Sequence, residues 1–365
     1  MKVIHITVSI DRGGSENHLV SLIEQQVAYG YLVGVVYFKG NPYWKEHLEA
    51  LGVKIYNYKI LTSFFSVSRL LYSFKPDVLH AHLQTSEIIS RASLVFFPRL
   101  KFIISKHNDE DSRFIHSVIH KPFYSFISKR SSNVIAISKN VRNYCLNNLG
   151  IKEDKVKVIY YGINPSIYQE AKNKTSEISK LKRQFKIESR DKVIGSIARL
   201  HPQKSLDTLL KSFAILLNEF ETREFKLIIV GEGHLMKELQ DLAAKLNISS
   251  NVIFTGKRQD IPMLLQLFDV FVLCSIYEGL GLVLLEAMSA EVPIIGTKAG
   301  AIPEIVGETG ILVEPRDVKG LAEELKFILE DDVLRKNLST SALKKIYDNF
   351  SLQQMFIKTH NLYLN

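Results

Sequence analysis

Apolar residues in this chain fall in short runs of about five or six, separated by stretches of helix length. Seven runs stand in the first half, at 3–8, 33–38, 53–58, 77–82, 102–107, 133–138 and 156–161. Six more follow, at 193–198, 225–230, 252–256, 270–275, 293–297 and 311–315. Runs such as VGVVYF and FKLIIV are apolar at successive rather than alternate positions, which predicts strands covered on both faces. Such strands belong to parallel sheets, and their alternation with helical segments predicts an α/β protein of two doubly wound domains. The polar stretch EAKNKTSEISKLKRQFKIESR, 170–190, is expected to link them, with a flanking helix. That division gives a first domain of 1–169 and a second of 170–350. The last stretch, FSLQQMFIKTHNLYLN, predicts an amphipathic helix over 351–365.

Composition supports two ordinary domains. The chain has 365 residues, 46% of them apolar and 10% aromatic, enough for two buried cores. No low-complexity segment or short repeat interrupts it. Cys145 and Cys274 are far apart, in apolar surroundings, without metal-ligand or CxxC spacing, and so are expected to be inert. Met1 leads straight into a strand, and no apolar run approaches the length of a membrane span. A cytoplasmic protein is expected.

Charge is placed unevenly. Residues 1–169 carry 21 Lys and Arg against 12 Asp and Glu, whereas the remainder carries 26 of each. The whole excess of +9 therefore belongs to the first domain. No nucleic-acid-binding motif accompanies it, and the basic residues are scattered. An anionic membrane surface, with the protein peripheral at its inner face, or a phosphate-bearing acceptor is the alternative partner. The segment SRFIHSVIHKPFYSFISKR mixes aromatic residues with Arg113, Lys121, Lys129 and Arg130. It reads either as an interfacial helix or as a helix with an ordinary core face.

The chemistry concentrates in EGLGLVLLE, where Glu278 and Glu286 flank a Gly-Leu-Gly turn that runs into a helical apolar pattern. The turn, Gly279, Leu280, Gly281 and Leu282, places backbone N–H groups at a helix N-terminus, where a diphosphate binds favourably. Glu278 ahead of the turn and Glu286 a turn into the helix can each hold hydroxyl groups. A diphosphate with a sugar at each end is a nucleotide sugar. Upstream, VIGSIARLHPQKSLDTLL reads as a strand, a loop and a helix, putting Arg199 and Lys204 beyond a strand's carboxyl end. A guanidinium fork and a point charge suit a leaving diphosphate.

In this order and spacing, Arg199, Lys204, Glu278 and Glu286 resemble the glycosyltransferases of family 4, the retaining group 1 enzymes of GT-B fold. GGSENHLVSL near the start, VIYYGIN, VGEGHL and AGAIPEIV with GILVEP extend the resemblance over nearly the whole chain. It implies two Rossmann-like domains facing across a cleft, with the C-terminal helix crossing back onto the first. It also implies a transfer to a glycan or lipid-linked acceptor in surface polysaccharide synthesis, with no cofactor and no metal. No Asp-x-Asp motif stands ready to hold one. The donor is expected to be a UDP-sugar in preference to a GDP-sugar.

Roles follow from the resemblance. Arg199 and Lys204 stabilise the departing diphosphate, Glu278 orients the donor sugar, and Glu286 grips the ribose. Gly13 and Gly14 close over phosphates and acceptor, Gly231 and Gly233 shape the VGEG turn, and the base lies against the backbone near Lys257 and Arg258. His107 falls where the family carries a histidine facing the donor sugar. His80 and His82 share one face of a strand, and His82 reads as structural or acceptor-side. Two other classes are weighed: a nucleotide-sugar epimerase of related fold, and a non-catalytic carbohydrate-binding relative. All four charged residues being present disfavours both.

Overall fold

A computed structural model describes residues 1–107, 117–220 and 224–365. All thirteen apolar runs form strands. In the first half these are β1 Lys2–Ile6, β2 Leu32–Tyr37, β3 Lys54–Asn57, β4 Val78–His82, β5 Lys101–Lys106, β6 Asn133–Ala136 and β7 Val156–Val158. In the second they are β8 Lys192–Ile197, β9 Phe225–Val230, β10 Val252–Gly256, β11 Val270–Leu273, β12 Ile294–Thr297 and β13 Ile311–Val313. Nine of the strands end one to three residues before their apolar run does, where the last residues of the run leave the sheet edge, and β4, β9, β10 and β12 end with it.

The seven-stranded sheet has the order β3-β2-β1-β4-β5-β6-β7 and the six-stranded sheet the order β10-β9-β8-β11-β12-β13. Every pairing is parallel, from β1 with β2 to β12 with β13. Successive strands add outward on one side, then the chain returns to the middle and adds on the other. The strand order thus reverses between β1 and β4 in one sheet and between β8 and β11 in the other. Right-handed crossovers send the connecting helices to opposite faces on the two sides of such a point. The loops beyond the strands therefore part there, which opens a crevice at the carboxyl edge.

The chain divides into two units, Met1–Gly162 with Leu352–Asn365, and Ile163–Ser351. In the first, Val3, Val35, Ile103 and Ile135 from the sheet meet Leu19 and Ile23 of the Gly14–Ala28 helix. Met355, Phe356 and Tyr363 of the Leu352–Leu364 helix complete that core. In the second, Ile194, Leu227 and Val272 pack on Leu209, Phe213 and Leu325. Residues 170–190 are not an irregular connection. They carry the Thr175–Gln184 helix, whose Leu181 is buried and which packs on the Ile261–Leu265 helix of the second unit. Their polarity is that of a helix with one buried stripe. Both cysteines are buried and free, and burial pushes each thiol up to about 12. No helix among the described residues is long and apolar enough to cross a membrane.

Candidate active site

The second unit gathers its charged candidates at the β8/β11 switch point. Beyond β8, the Pro202–Lys204 turn is capped by His201, whose ring accepts from the Gln203 N–H at 3.3 Å. This loop is tied to the one beyond β11: Ile276 N–H donates to Gln203 O at 2.9 Å, and the Gln203 side chain donates to Tyr277 O at 2.8 Å. Lys204 forms an ion pair with Glu278, both side chains being about nine-tenths buried. Ser275 Oγ donates to the same carboxylate oxygen at 2.9 Å. Arg199 is exposed, and while its backbone O accepts from the His201 N–H at 2.9 Å, its side chain has no hydrogen-bond or ion-pair partner among the described residues.

Gly281 caps the Leu282–Ser289 helix at φ 84°, a left-handed conformation that side chains resist. The first bond of the helix runs from Leu284 N–H to Gly281 O at 2.8 Å. Leu282 and Val283 precede it, in the turn whose N–H groups have no carbonyl behind them. Leu280 is buried and anchors the turn. One turn into the helix, burial pushes the Glu286 carboxyl up to about 7, partly offset by a hydrogen bond from Tyr168. Tyr168 comes from the Ser166–Ala171 helix, and burial and the nearby carboxylate hold its phenol well above the usual range.

Two glycine sites lock this edge. A Cβ on Gly231 would lie 1.9 Å from Ala198 O, and one on Gly233 would lie 2.3 Å from Leu200 O. Leu200 N–H also donates to Glu232 O at 2.9 Å. These glycines let the VGEG turn press on the two residues flanking Arg199. Beyond β12, Gly300 is left-handed at φ 55°, a Cβ there would meet Glu278 O at 2.2 Å, and Ala301 N–H donates to that oxygen at 2.9 Å. Sequence reasoning missed Gly300 and Tyr168 as partners of the two glutamates. AGAIPEIV was legible as a motif, but its contact with Glu278 is tertiary.

Lys257 and Arg258, beyond β10, turn their side chains to the protein. Lys257 pairs with Glu232 at 3.3 Å, and Arg258 makes a fork to Asp260 at 2.8 and 2.6 Å while lying over the Phe185 ring. Gly231 N–H donates to Gly256 O at 2.9 Å, which brings the ends of β9 and β10 together.

In the first unit, Gly13 and Gly14 follow β1 at its own switch point. Gly13 caps the Gly14–Ala28 helix with an extended backbone, and no atom lies within 4 Å of where a Cβ on Gly14 would stand. Neither backbone conformation demands glycine. His107, beyond β5, is buried and has neither ring nitrogen free: Nε2 meets His82 Nδ1 at 3.2 Å and Nδ1 meets Tyr161 OH at 2.6 Å. The chain continues from His82 Nε2 to His5 Nδ1 at 3.0 Å, and from His5 Nε2 to Gln26 Oε1 at 2.9 Å. An amide oxygen only accepts, so His5 carries its proton on Nε2 and its Nδ1 accepts. The same direction then passes along the chain, and Tyr161 donates to His107. A branch runs from Gln26 Nε2 to Tyr363 OH, on to His80 Nδ1 at 2.6 Å, and from His80 Nε2 to Ser105 at 2.8 Å. Every ring is neutral: burial lowers His5 to about 4 and His107 to about 3, and His80 and His82 lie well below the ordinary value.

Arg113 and the side chain of Lys121 lie outside the described residues. The Ser117–Arg130 helix buries Tyr124 and Ile127. Arg130 is a structural clamp, donating to the carbonyls of Phe97, Pro98 and Leu100 at 3.0, 2.8 and 2.9 Å.

Two family models match the chain, Glycosyltransferase Family 4 over residues 12–167 and Glycosyl transferases group 1 over residues 177–345. The chain belongs to these glycosyltransferases. It is 27% identical over 291 residues to N-acetyl-alpha-D-glucosaminyl L-malate synthase of Bacillus anthracis, covering 79% of this chain and 74% of that one. It is 26% identical over 313 residues to an Escherichia coli UDP-Gal:alpha-D-GlcNAc-diphosphoundecaprenol alpha-1,3-galactosyltransferase, covering 84% and 80%. The solved structure of Anabaena HepE with UDP and glucose superposes with a TM-score of 0.86 at 22% identity, covering 99% and 98%. The fold of this glycosyltransferase is GT-B, with two Rossmann-like units.

Proposed function

We propose that this glycosyltransferase moves a sugar, with retention of anomeric configuration, from a UDP-sugar to a glycan or lipid-linked acceptor in the assembly of a bacterial surface polysaccharide. The observation that carries the reading is the β8/β11 switch point, where Arg199, the Lys204–Glu278 pair and the start of the Leu282–Ser289 helix stand on adjoining loops. The Escherichia coli relative, a UDP-Gal galactosyltransferase, and the HepE complex with UDP and glucose support a uridine donor.

As the bond from the anomeric carbon to the diphosphate breaks, negative charge grows on the phosphate oxygens and the sugar becomes oxocarbenium-like. Arg199, Lys204 and the first-turn N–H groups stabilise that charge in place, as fixed donors aimed at developing charge do. Lys204 exchanges Glu278 for the diphosphate as the donor enters, which frees Glu278 to hold the sugar's hydroxyls. Glu286, steadied by Tyr168, takes the ribose hydroxyls. Gly231, Gly233 and the Gly279–Leu282 backbone shape the donor's bed, and the base lies along the main chain of Lys257 and Arg258.

In the first unit, Gly13 and Gly14 leave room for substrate, and His107 reaches a sugar hydroxyl by releasing Tyr161. Glu16, the carboxylate beside Gly13, is held by Ser9 and Ser15 at 2.7 Å each. Same-face attack, in preference to a covalent glycosyl intermediate, is the reading that the family resemblance supports. The basic acceptor-side unit fits a peripheral contact with an anionic membrane.

Incubation with UDP- and GDP-sugars and a lipid-linked acceptor tests this. UDP should be released, NMR of the new linkage should show the donor's configuration, and EDTA should leave the rate unchanged. An inverted product overturns the mechanism, and activity lost on chelation and restored by magnesium overturns the metal-free reading of the leaving-group site.

A further inference from the structure

Eight of the seventeen exposed large apolar side chains among the described residues fall between positions 60 and 126. The Ser63–Phe74 helix explains why. Its buried stripe is Val67, Leu70, Leu71 and Phe74. Its outward stripe, extended back by the Ile60–Thr62 turn, is Leu61, Phe65, Arg69 and Tyr72, spaced four, four and three residues apart and so on one face. Leu61 is 97% exposed and Phe65 and Tyr72 are 75% exposed.

Neighbouring elements continue the surface. Phe64 contacts both Phe65 and Phe96, with ring centroids 5.1 and 5.9 Å apart, and Phe96 is itself 63% exposed. A groove of about 570 Å³, lined by Leu71, Tyr72, Phe97 and Pro98 among others, joins this helix to residues 97–100, which follow the Leu94–Phe96 turn. The Arg130 clamp on the carbonyls of Phe97, Pro98 and Leu100 keeps that segment in place.

Among the described residues the charge around the patch is predominantly positive. Lys59, Arg69, Lys75, Arg99 and Lys129 are exposed, and none has an acidic partner among the described residues. Of the two carboxylates between 59 and 100, Glu87 is buried against Lys106, and Asp77, which accepts from the Lys2 N–H at 2.7 Å, is an exposed carboxylate on the groove, outnumbered by these cations. Exposed aromatic and aliphatic groups ringed by unpaired cations fit a surface that is apolar beneath and negative above. A second copy of the chain would bring like charges together.

We infer that the face formed by residues 59–75, with 95–99, is a docking surface for an anionic lipid bilayer. This deepens the membrane contact proposed above by naming its surface, and its test uses no nucleotide sugar, so the two readings fail separately.

The experiment is sedimentation of the full chain with phosphatidylglycerol vesicles and with phosphatidylcholine vesicles, across a salt series. The protein should pellet with the anionic vesicles at low salt, more weakly at high salt, and weakly with the neutral ones. Lys59→Gln, Arg69→Gln and Lys75→Gln together should lower the partition coefficient by about a hundredfold. Leu61→Ser, Phe65→Ser and Phe96→Ser should weaken the binding that survives high salt. All six residues are exposed, and UDP affinity and circular dichroism confirm that the variants fold. No binding to anionic vesicles at low salt overturns the proposal. So does binding that neither set of substitutions changes, or a concentration-dependent dimer that the apolar set abolishes.

Discussion

Arg199 and Lys204 arrive at the same strand end with opposite tertiary circumstances. The Arg199 side chain is exposed and without a partner among the described residues, whereas that of Lys204 is about nine-tenths buried against Glu278. Breaking a buried pair leaves one charge desolvated, so Lys204→Ala should destabilise the protein by about 3–5 kcal/mol. Arg199→Ala should change stability by less than about 0.5 kcal/mol and lower turnover by about 10²–10³-fold. Urea denaturation and initial rates measure both, and equal stability losses would contradict the asymmetry. Glu286 adds a proton-linked effect. Its carboxyl, raised to about 7, is partly protonated at neutral pH, and gripping hydroxyls favours the ionised form. UDP binding at pH 7 should therefore release protons, seen in calorimetry as a binding heat that varies with the buffer's ionisation enthalpy. A heat independent of buffer would remove Glu286 from the ribose site.

At the scale of elements, the site is held by loops braced on one another at the sheet edge. Gly300 is the sharpest case: a left-handed residue whose absent side chain lets the loop beyond β12 touch Glu278 O. Gly300→Ala would set a methyl group 2.2 Å from that oxygen. The loop must move, and Glu278 with it, so the variant should lose thermal stability and bind UDP-sugar more weakly than UDP. Gly14→Ala makes the contrast, because a methyl group there meets nothing within 4 Å. It should leave stability unchanged in a thermal scan.

Across the whole molecule, the buried histidines set the pH response. His5, lowered to about 4, and His107, lowered to about 3, stay neutral in the folded protein, with His18, His80 and His82 lower than ordinary as well. In the unfolded chain each takes up a proton near its ordinary value of 6.5. Between 6.5 and 4 the unfolded state binds more protons, so stability falls as pH falls, by up to about 1.4 kcal/mol per pH unit for each histidine. Glu286 acts in the other direction, since its raised value makes stability fall as pH rises from 4.5 to about 7. Five histidines outweigh one carboxylate. The melting temperature should therefore drop steeply below pH 6.5, and His80→Gln should flatten the slope. A melting temperature that is level from pH 7 to 5 would contradict the neutral chain.

By itself the sequence determined the thirteen strands, their parallel arrangement and the set of charged residues around the Gly-Leu-Gly turn. These are local: a strand buried on both faces must be apolar at successive positions, and a helix N-terminus must follow a turn that glycine can make. The end of the first unit, the fate of 170–190 and the partners of each charge were decided only in three dimensions. Polarity alone cannot distinguish a linker from a helix that buries one stripe, as the Thr175–Gln184 helix does with Leu181. His80 and His82 were visibly on one face, but the chain joining His107 to Gln26 runs through residues 21 to 77 positions apart. Nor does spacing reveal that Tyr168 supports Glu286 or that Arg130 grips three carbonyls. Such contacts depend on which loops the strand order brings to the same edge, and that order exists only once the sheet has formed.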